Sequence, residues 1–212
     1  MTIDLTTVTE VDPNGRLSST TSTATATALT TNEIAYQYID YGAGYFAGSA
    51  YLEGTLNVSS TSGTATAKEL AFGFADSLGD MLGTTNEACA LVLFGTGAAT
   101  TFDFRAAGRE SSATVTKVGV TTHAKATNYY YRVGFLSSLG RYGGFIAQTY
   151  SDSTRATLVS SAALTRTASA SYRYLYPLQS LNNALADTLT ATNADITLFQ
   201  PAAGIDLTTA TG

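Results

Sequence analysis

Apolar residues alternate with small or polar ones between Glu69 and Arg109, and this pattern restricts the fold more than any other in the chain. Leu70, Phe72 and Phe74 recur with period two, which is typical of a strand that buries one face. The apolar run from Ala88 to Phe94 is typical of a strand covered on both faces, and a further alternating segment follows it. Because no helix-length apolar period separates these segments, the sequence predicts an all-β core.

Strand patterns of this kind recur at short intervals through the remainder of the chain, which contains only three prolines. A Ser/Thr/Ala tract at 17–29 is either a low-complexity linker or a first strand, and the Thr/Ala alternation from Thr23 to Ala28 favours the strand. Together the patterns predict one β-domain, a sandwich or a barrel, over residues 17–199. An extended N-terminal arm, 1–16, and a C-terminal tail, 200–212, flank this domain.

The amino-acid composition of the chain argues against some classes of binding partner. Charged residues make up 13% of the 212 residues, about half of the usual quarter, and the net charge is −5 with the basic residues scattered. This argues against nucleic-acid binding. The sequence has neither a signal-peptide pattern nor an apolar run near the roughly 18 residues of a membrane span. We therefore expect a soluble protein made in the cytoplasm, with no membrane partner and with its one cysteine, Cys89, in the core.

Catalytic and metal-binding patterns are weak. A glycosidase needs two carboxylates held close together, and the sequence has no closely spaced acid cluster. His123 is the one histidine, so neither a serine triad nor a zinc site is expected, and we predict that it lies solvated in a loop. We expect no enzyme activity and no cofactor. Calcium stays open, because four oxygen-bearing residues surround the predicted surface loop 77–87: Asp76, Asp80, Asn86 and Glu87.

Tyrosine is abundant, with 13 copies and no tryptophan. Tyrosines at strand spacing are expected to pack in the core or between sheets; they are Tyr129, Tyr131 and, predicted to share one face, Tyr172, Tyr174 and Tyr176. Three others, Tyr130, Tyr142 and Tyr150, are predicted to be exposed and able to stack on sugars or to fill a protein interface.

A five-residue sequence occurs near both ends of the chain, as Ile3-Asp4-Leu5-Thr6-Thr7 and as Ile205-Asp206-Leu207-Thr208-Thr209. One explanation is chance in a Thr-rich chain. The other is that both segments dock in similar grooves, on this subunit or on neighbouring ones. Under the second explanation Ile3, Leu5, Ile205 and Leu207 are candidate assembly contacts.

From Glu69 to about Phe199 the order of elements resembles the concanavalin A-like lectin/glucanase domain, in the form found in bacteriophage virion proteins. The segments that carry the resemblance are AFGFADSLGD, ACALVLFGTGAATTFDFRAAGR, YYYRVGFLSSLGRYGGFIAQTY and TATNADITLF. Leu139-Gly140 stands where that family often has Asp before the Gly turn, which loosens the match but keeps the hairpin. The resemblance implies a jelly roll of two antiparallel sheets packed face to face.

These observations lead to a ranked set of functions. The first is a non-enzymatic virion structural protein, a capsid decoration or head-associated protein of a tailed bacteriophage. It would be made in the host cytoplasm, lie on the capsid surface and contact the major capsid protein or other virion subunits through its arms, as a homo-oligomer such as a trimer. The alternatives are a carbohydrate-binding module of a tail fibre or cell surface, which binds glycans, and an extracellular filament or sheath subunit. An enzyme ranks last.

Overall fold

The structure, a computed structural model, describes residues 1–27, 33–61, 68–85, 87–95, 100–113, 116–182 and 189–200. These parts of the chain form 14 β-strands and no helix, and none of them contains a helix that could cross a membrane. The strands are β1 (Thr9–Val11), β2 (Leu17–Ser19), β3 (Thr23–Ala26), β4 (Glu33–Asp40), β5 (Ala50–Thr61), β6 (Lys68–Ala75), β7 (Ala88–Gly95), β8 (Thr101–Arg109), β9 (Thr116–Ala124), β10 (Asn128–Leu136), β11 (Gly144–Tyr150), β12 (Leu158–Thr165), β13 (Tyr174–Asn182) and β14 (Leu189–Phe199).

Two seven-stranded sheets pack against each other. The first sheet has the order β1-β4-β13-β6-β7-β8-β9, and the second has the order β12-β11-β10-β5-β14-β3-β2. The paired strands are antiparallel. This arrangement confirms the predicted all-β, two-sheet antiparallel sandwich. The Thr/Ala tract is confirmed as strand, because β2 and β3 form a hairpin in which Ala24 and Ala26 are buried.

The main core lies between the sheets, where alternate residues of each strand meet. Leu70, Phe72 and Phe74 of β6 are fully buried, and the Phe72 ring lies 4.6 Å from the ring of Tyr131 on the second sheet. The Tyr131 hydroxyl donates to Asn193 Oδ1 at 2.9 Å, and Asn193 Nδ2 donates to the Pro177 carbonyl at 2.7 Å. The polar groups of this buried contact are therefore satisfied across the two sheets.

Pro177 lies in a central strand, β13, although a proline in a sheet usually marks a strand end or an edge. β13 pairs with β4 on one side and with β6 on the other. Its register shifts between Leu175 and Leu178 against β4, and between Tyr176 and Gln179 against β6. The proline has no N–H to give to a ladder, and the irregularity removes the need for one at this position.

The N-terminal segment docks on its own chain. Thr2 bridges Thr197 of β14, and Ile3 N donates to the Ile196 carbonyl at 2.9 Å. The side chains of Ile3 and Leu5 are 4% and 1% exposed and belong to the main core. For these two residues the structure shows the docking on their own subunit, where burial of both apolar side chains stabilises the segment. Contact of the arms with neighbouring subunits stays a prediction. Ile205 and Leu207, like the rest of 201–212, lie outside the described residues.

His123 is buried, which contradicts the prediction of a solvated loop residue. β9 continues to Ala124, so His123 pairs with Phe102 of β8 and points into the sandwich. Its ring stacks on Phe102, at 5.4 Å between centroids, and meets Tyr129 at 4.5 Å. Its Nε2 lies 2.8 Å from Thr149 Oγ1 on the second sheet. The histidine is therefore a packing residue with a hydrogen-bonded ring.

A buried ion pair ties the two sheets together at one end. Arg166, which follows β12, has a fully buried side chain that forms a salt bridge with Glu87, just before β7. Arg166 also donates to the Tyr172 hydroxyl at 3.2 Å and to the Ala168 carbonyl at 3.0 Å. A buried guanidinium requires partners of this kind for its donors.

Candidate functional site

Four tyrosines form an aromatic surface on the outer face of the first sheet, the face that points away from the second sheet. Tyr36 and Tyr38 come from β4, and Tyr174 and Tyr176 come from the neighbouring strand β13. The ring centroids of Tyr36 and Tyr176 are 5.6 Å apart, and those of Tyr38 and Tyr174 are 5.7 Å apart. We call these four residues the tyrosine face.

Strand alternation explains why β4 contributes two of them. Ala35 and Gln37 are buried on the inward side, so the residues between and after them point outward. Tyr36 and Tyr38 are half-buried, whereas Tyr176 is fully buried and Tyr174 is 8% exposed. Two rings of the tyrosine face therefore keep surface that a ligand can contact.

The segment from Asp76 to Thr85 folds over the neighbouring part of the same face. Met81 and Leu82 are buried in a second apolar cluster with small residues of β6 and β7, among them Ala71 and Ala90. These alanines leave room above the sheet that the larger side chains fill. The segment was predicted to be a surface loop, and its central residues are instead packed on the sheet.

Hydrogen bonds fix this loop to β13. Met81 N donates to Gln179 Oε1 at 2.8 Å, and Gln179 Nε2 donates to Asp80 Oδ1 at 2.9 Å. Gly79 N donates to the Tyr176 hydroxyl at 3.2 Å. The loop thus places one carboxylate, that of the half-buried Asp80, and one amide beside the tyrosine face.

Two phenols of the tyrosine face, those of Tyr36 and Tyr176, stay protonated over the physiological range. Burial, and in second place the neighbouring Tyr38, raises the pKa of Tyr36. Burial likewise raises the pKa of Tyr176. A protonated phenol both donates and accepts hydrogen bonds, and its ring offers an apolar surface. The site can therefore contact a ligand that has an apolar side and a hydroxyl-bearing edge.

The three tyrosines predicted from sequence as contact residues lie on the second sheet or its connections, and the tyrosine face does not include them. Tyr142 is exposed in the turn between β10 and β11, with the Arg141 guanidinium 5.1 Å from its ring. Tyr130 is half-buried on β10, paired with Tyr150.

Tyr150 is buried, with 6% exposure, and its prediction as an exposed residue is wrong. Its hydroxyl donates to Gln148 Oε1 at 2.8 Å. The chain after Tyr150 returns over the second sheet, where Arg155 forms a salt bridge with Glu53 of β5 at 3.3 Å. The strand also bulges between Thr149 and Tyr150, where simple alternation no longer applies.

The acids around residues 77–87 are held separately. Asp76 Oδ1 accepts from Glu87 N at 3.0 Å, while the Glu87 carboxylate accepts from Ser111 N at 2.8 Å and pairs with Arg166. Asn86 lies outside the described residues. Across the ranges that the structure describes, no group of three or more His, Cys, Asp or Glu side chains could hold a metal ion. The geometry gives the calcium alternative no support within these ranges.

A separate concavity of about 460 Å³ lies at the end of the sandwich that carries the ion pair. Residues from β8, from the turn after it and from the end of β12 line it, among them Gly108, Glu110 and Thr167. Its one described carboxylate, Glu110, already accepts from Thr167 N at 3.2 Å. Aromatic rings line the tyrosine face and not this concavity, so the tyrosine face is the stronger candidate.

Sequence reasoning placed Tyr174 and Tyr176 at strand spacing but did not bring them together with Tyr36 and Tyr38. Tyr174 and Tyr176 were predicted to share a face with Tyr172, but Tyr172 points into the main core, where its ring meets Phe135 at 5.6 Å. The available signal was the alternation of Tyr36 and Tyr38 with inward residues, matched by the same spacing in β13. Neither pattern shows which strands become neighbours.

Solved structures that are similar to this fold include lectin and carbohydrate recognition domains. The Emp47p carbohydrate recognition domain matches with a TM-score of 0.59 and 13% identity, covering 92% of this chain and 89% of that chain. The fold is that of the legume lectin-like, or concanavalin A-like, sandwiches. The exoplasmic/lumenal domain of VIP36, in its Ca2+/Man3GlcNAc-bound form, matches with a TM-score of 0.56 and 12% identity, covering 94% of this chain and 86% of that chain. The legume lectin-like domain from Entamoeba histolytica matches with a TM-score of 0.54 and 9% identity, covering 95% of this chain and 97% of that chain.

At these identities the likeness concerns the fold alone. No protein-family model matches the sequence, and no curated protein matches it.

Proposed function

We propose that the protein is a non-enzymatic carbohydrate-binding module that holds a glycan on its tyrosine face. The observation that carries this proposal is the pair of half-buried rings, Tyr36 and Tyr38, on a face where Gln179, paired with Tyr36, holds the Asp80 carboxylate of the loop. The lectin-like fold supports it, since the neighbours include carbohydrate recognition domains and one domain bound to Man3GlcNAc.

The chemistry of a sugar fits this surface. One face of a pyranose ring presents C–H groups, which pack against the Tyr36 and Tyr38 rings as apolar surface. The hydroxyl groups at its edge reach the phenols and the Asp80 carboxylate. Asp80 Oδ1 accepts from Leu82 N and from Gln179 Nε2, and a carboxylate has about four acceptor positions, so acceptor capacity remains for sugar hydroxyls.

The same geometry supports the proposal of binding without hydrolysis. Retaining hydrolysis needs two carboxyl groups about 5 Å apart, one of them free to act as an acid. Asp80 is engaged with Gln179, and the neighbouring loop acids Asp76 and Glu87 are bound to backbone amides or to Arg166. We assign the face a binding role only.

A glycan array with matched variants tests the proposal. The wild-type chain is expected to bind a subset of glycans, and Tyr36→Ala with Tyr38→Ala is expected to weaken that binding about tenfold or more, equivalent to about 1.4 kcal/mol. Tyr142→Ala, which removes an exposed tyrosine of the other sheet, is the control and should leave binding unchanged. Binding that survives the double replacement, or no binding to any glycan on the array, would refute the proposal.

The capsid decoration role, with its virion location, capsid partners and trimeric state, remains a prediction from the sequence resemblance. Its argument from free arms is weaker, because Ile3 and Leu5 dock on their own chain. The setting of a glycan-binding module, on a tail fibre or on a cell surface, is likewise a prediction. The alternative of an extracellular filament or sheath subunit also stays a prediction from the sequence.

A further inference from the structure

The docked N-terminal segment uses the same five residues that recur near the other end of the chain. Ile-Asp-Leu-Thr-Thr occupies residues 3–7 and again residues 205–209. The structure shows what the first copy does, and each of its five side chains has a role in the docked state.

The apolar residues of the first copy fill the core beside β14. Ile3 and Leu5 belong to the main core together with Ile196 of β14. The backbone of the copy is also bound, since Ile3 N donates to the Ile196 carbonyl at 2.9 Å and Leu5 N donates to the Thr21 carbonyl at 3.0 Å. We call the space that these two side chains fill the β14 groove.

The polar residues of the first copy shape its own turn. Asp4 Oδ1 accepts from Thr6 N at 2.9 Å and from the Thr6 hydroxyl at 2.7 Å. The Asp4 carbonyl accepts from Thr7 N at 3.2 Å and from the Thr7 hydroxyl at 2.8 Å. Because these bonds lie within the segment, any copy of the five residues can form the same turn.

In the sequence, the second copy begins six residues after the end of β14, the strand that lines the groove. β14 ends at Phe199, and Ile205 follows six residues later, a length that spans up to about 20 Å. Ile196 lies three residues back along the strand from Phe199, about 10 Å away. A chain that reverses after Phe199 runs antiparallel to β14, which is the direction in which residues 1–3 run beside it.

We propose that the β14 groove is a binding site for the Ile-Asp-Leu-Thr-Thr segment, and that residues 205–209 of the same chain are its second ligand, which replaces residues 3–7. The two copies exclude each other, because one pair of apolar side chains fills the groove. Short connections give a segment of the same chain a millimolar effective concentration, which favours it over a segment of another molecule. When 205–209 is bound, residues 1–8 are released for other contacts.

Hydrogen exchange measured by mass spectrometry tests the exchange of segments directly. Ile3→Ala with Leu5→Ala weakens the first copy, and the proposal predicts that amides of 205–209 become more protected than in the wild-type chain. Adding Ile205→Ala and Leu207→Ala should abolish that gain. Unchanged exchange of 205–209 in the first variant would overturn the proposal. Should that variant fail to fold, Ile3→Val with Leu5→Val weakens docking less, and the same comparison is made.

Thermal unfolding provides an independent readout of the same competition. Ile205→Ala with Leu207→Ala should change the Tm of the wild-type chain by less than about 1 °C, since the first copy fills the groove. In the Ile3→Ala, Leu5→Ala background the same pair should lower the Tm by about 5 °C or more, because the ligand that remains is lost. Equal shifts in both backgrounds would contradict the proposal.

Light scattering distinguishes the two sources of the ligand. The Ile3→Ala, Leu5→Ala variant should keep the molecular mass of the wild-type protein over a hundredfold range of concentration, because the segment comes from its own chain. A dimer that grows with concentration and disappears on adding Ile205→Ala and Leu207→Ala would show that a second molecule supplies the segment, and would overturn the assignment to the same chain.

Discussion

Replacing Arg166 with Met tests how much the ion pair at the end of the sandwich stabilises the fold. The Arg166 side chain is fully buried, and the Glu87 side chain is 16% exposed. Met retains most of the apolar length of the arginine but removes its donors to Glu87, to the Tyr172 hydroxyl and to the Ala168 carbonyl. The variant therefore leaves a largely buried carboxylate without its cation.

The expected loss follows from that geometry. Breaking a buried ion pair by removing one partner typically costs about 3–5 kcal/mol. Glu87 keeps some solvent contact and a hydrogen bond from Ser111 N, so we expect about 2–4 kcal/mol for Arg166→Met. For a domain of this size each kcal/mol lowers the Tm by about 2–4 °C, which gives a decrease of about 4–16 °C.

Urea unfolding followed by circular dichroism measures the loss, and a double-mutant cycle assigns it. Adding Glu87→Gln to Arg166→Met should recover part of the stability, because the unpaired charge is gone, with a coupling of about 1 kcal/mol or more. Arg173→Met is the matched control, since it breaks the Arg173–Asp40 pair, whose side chains are 41% and 37% exposed, and should cost much less. Equal losses for Arg166→Met and Arg173→Met would refute the reasoning.

Three further predictions concern single residues. Gly108→Ala should lose about 1–3 kcal/mol of unfolding free energy in urea, because an added Cβ would lie 1.8 Å from the Phe145 ring, whereas Gly48→Ala meets nothing within 4 Å and should be nearly neutral. Burial raises the pKa of Cys89 to about 12, so a thiol reagent at pH 8 should label it only after unfolding. Hydrogen bonds from the Thr154 side chain and from the Ala156 and Thr157 amides lower the pKa of Asp152. The stability that the ionised Asp152 adds should be complete above about pH 4 and should fall as the pH drops below that value. Thermal scans at several pH values measure this dependence, and Asp152→Asn should abolish it.

Local patterns in the sequence were sufficient for most of the strands, but not for β1, which lies in the predicted arm, or for the end of β9, which carries His123. The two-sheet architecture followed from the family resemblance. Period-two alternation marks β8, and the Thr/Ala tract marks β3, because each of these strands buries mainly one face. The same alternation marks β6, although both of its faces are buried, because small residues such as Ala71 alternate with large ones. Sheet membership was not accessible in the same way. β13 lies between β4 and β6, and β14 lies between β3 and β5, and such pairings join segments far apart in sequence that no local period connects.

The candidate site shows the same limit. The role of Tyr36 and Tyr38 depends on β13 as a neighbour and on the loop, which covers Tyr176 and leaves these two rings partly exposed. The alanines beneath Met81 signal a covered face only once the loop is known to fold onto it. Tyr150 was misjudged because a bulge and a returning chain, not alternation, decide its burial.

The central position of β13 and β14 also constrains how the protein is made. Each sheet receives an interior strand from the last part of the described chain, so a ribosome-bound intermediate that lacks residues 189–199 has the edges of β3 and β5 unpaired. At about 5–20 residues per second, the chain spends several seconds with these edges open to other nascent chains. We therefore expect the second sheet to be completed only after β14 has been translated. Chaperones that shield open strand edges should raise the yield of folded protein.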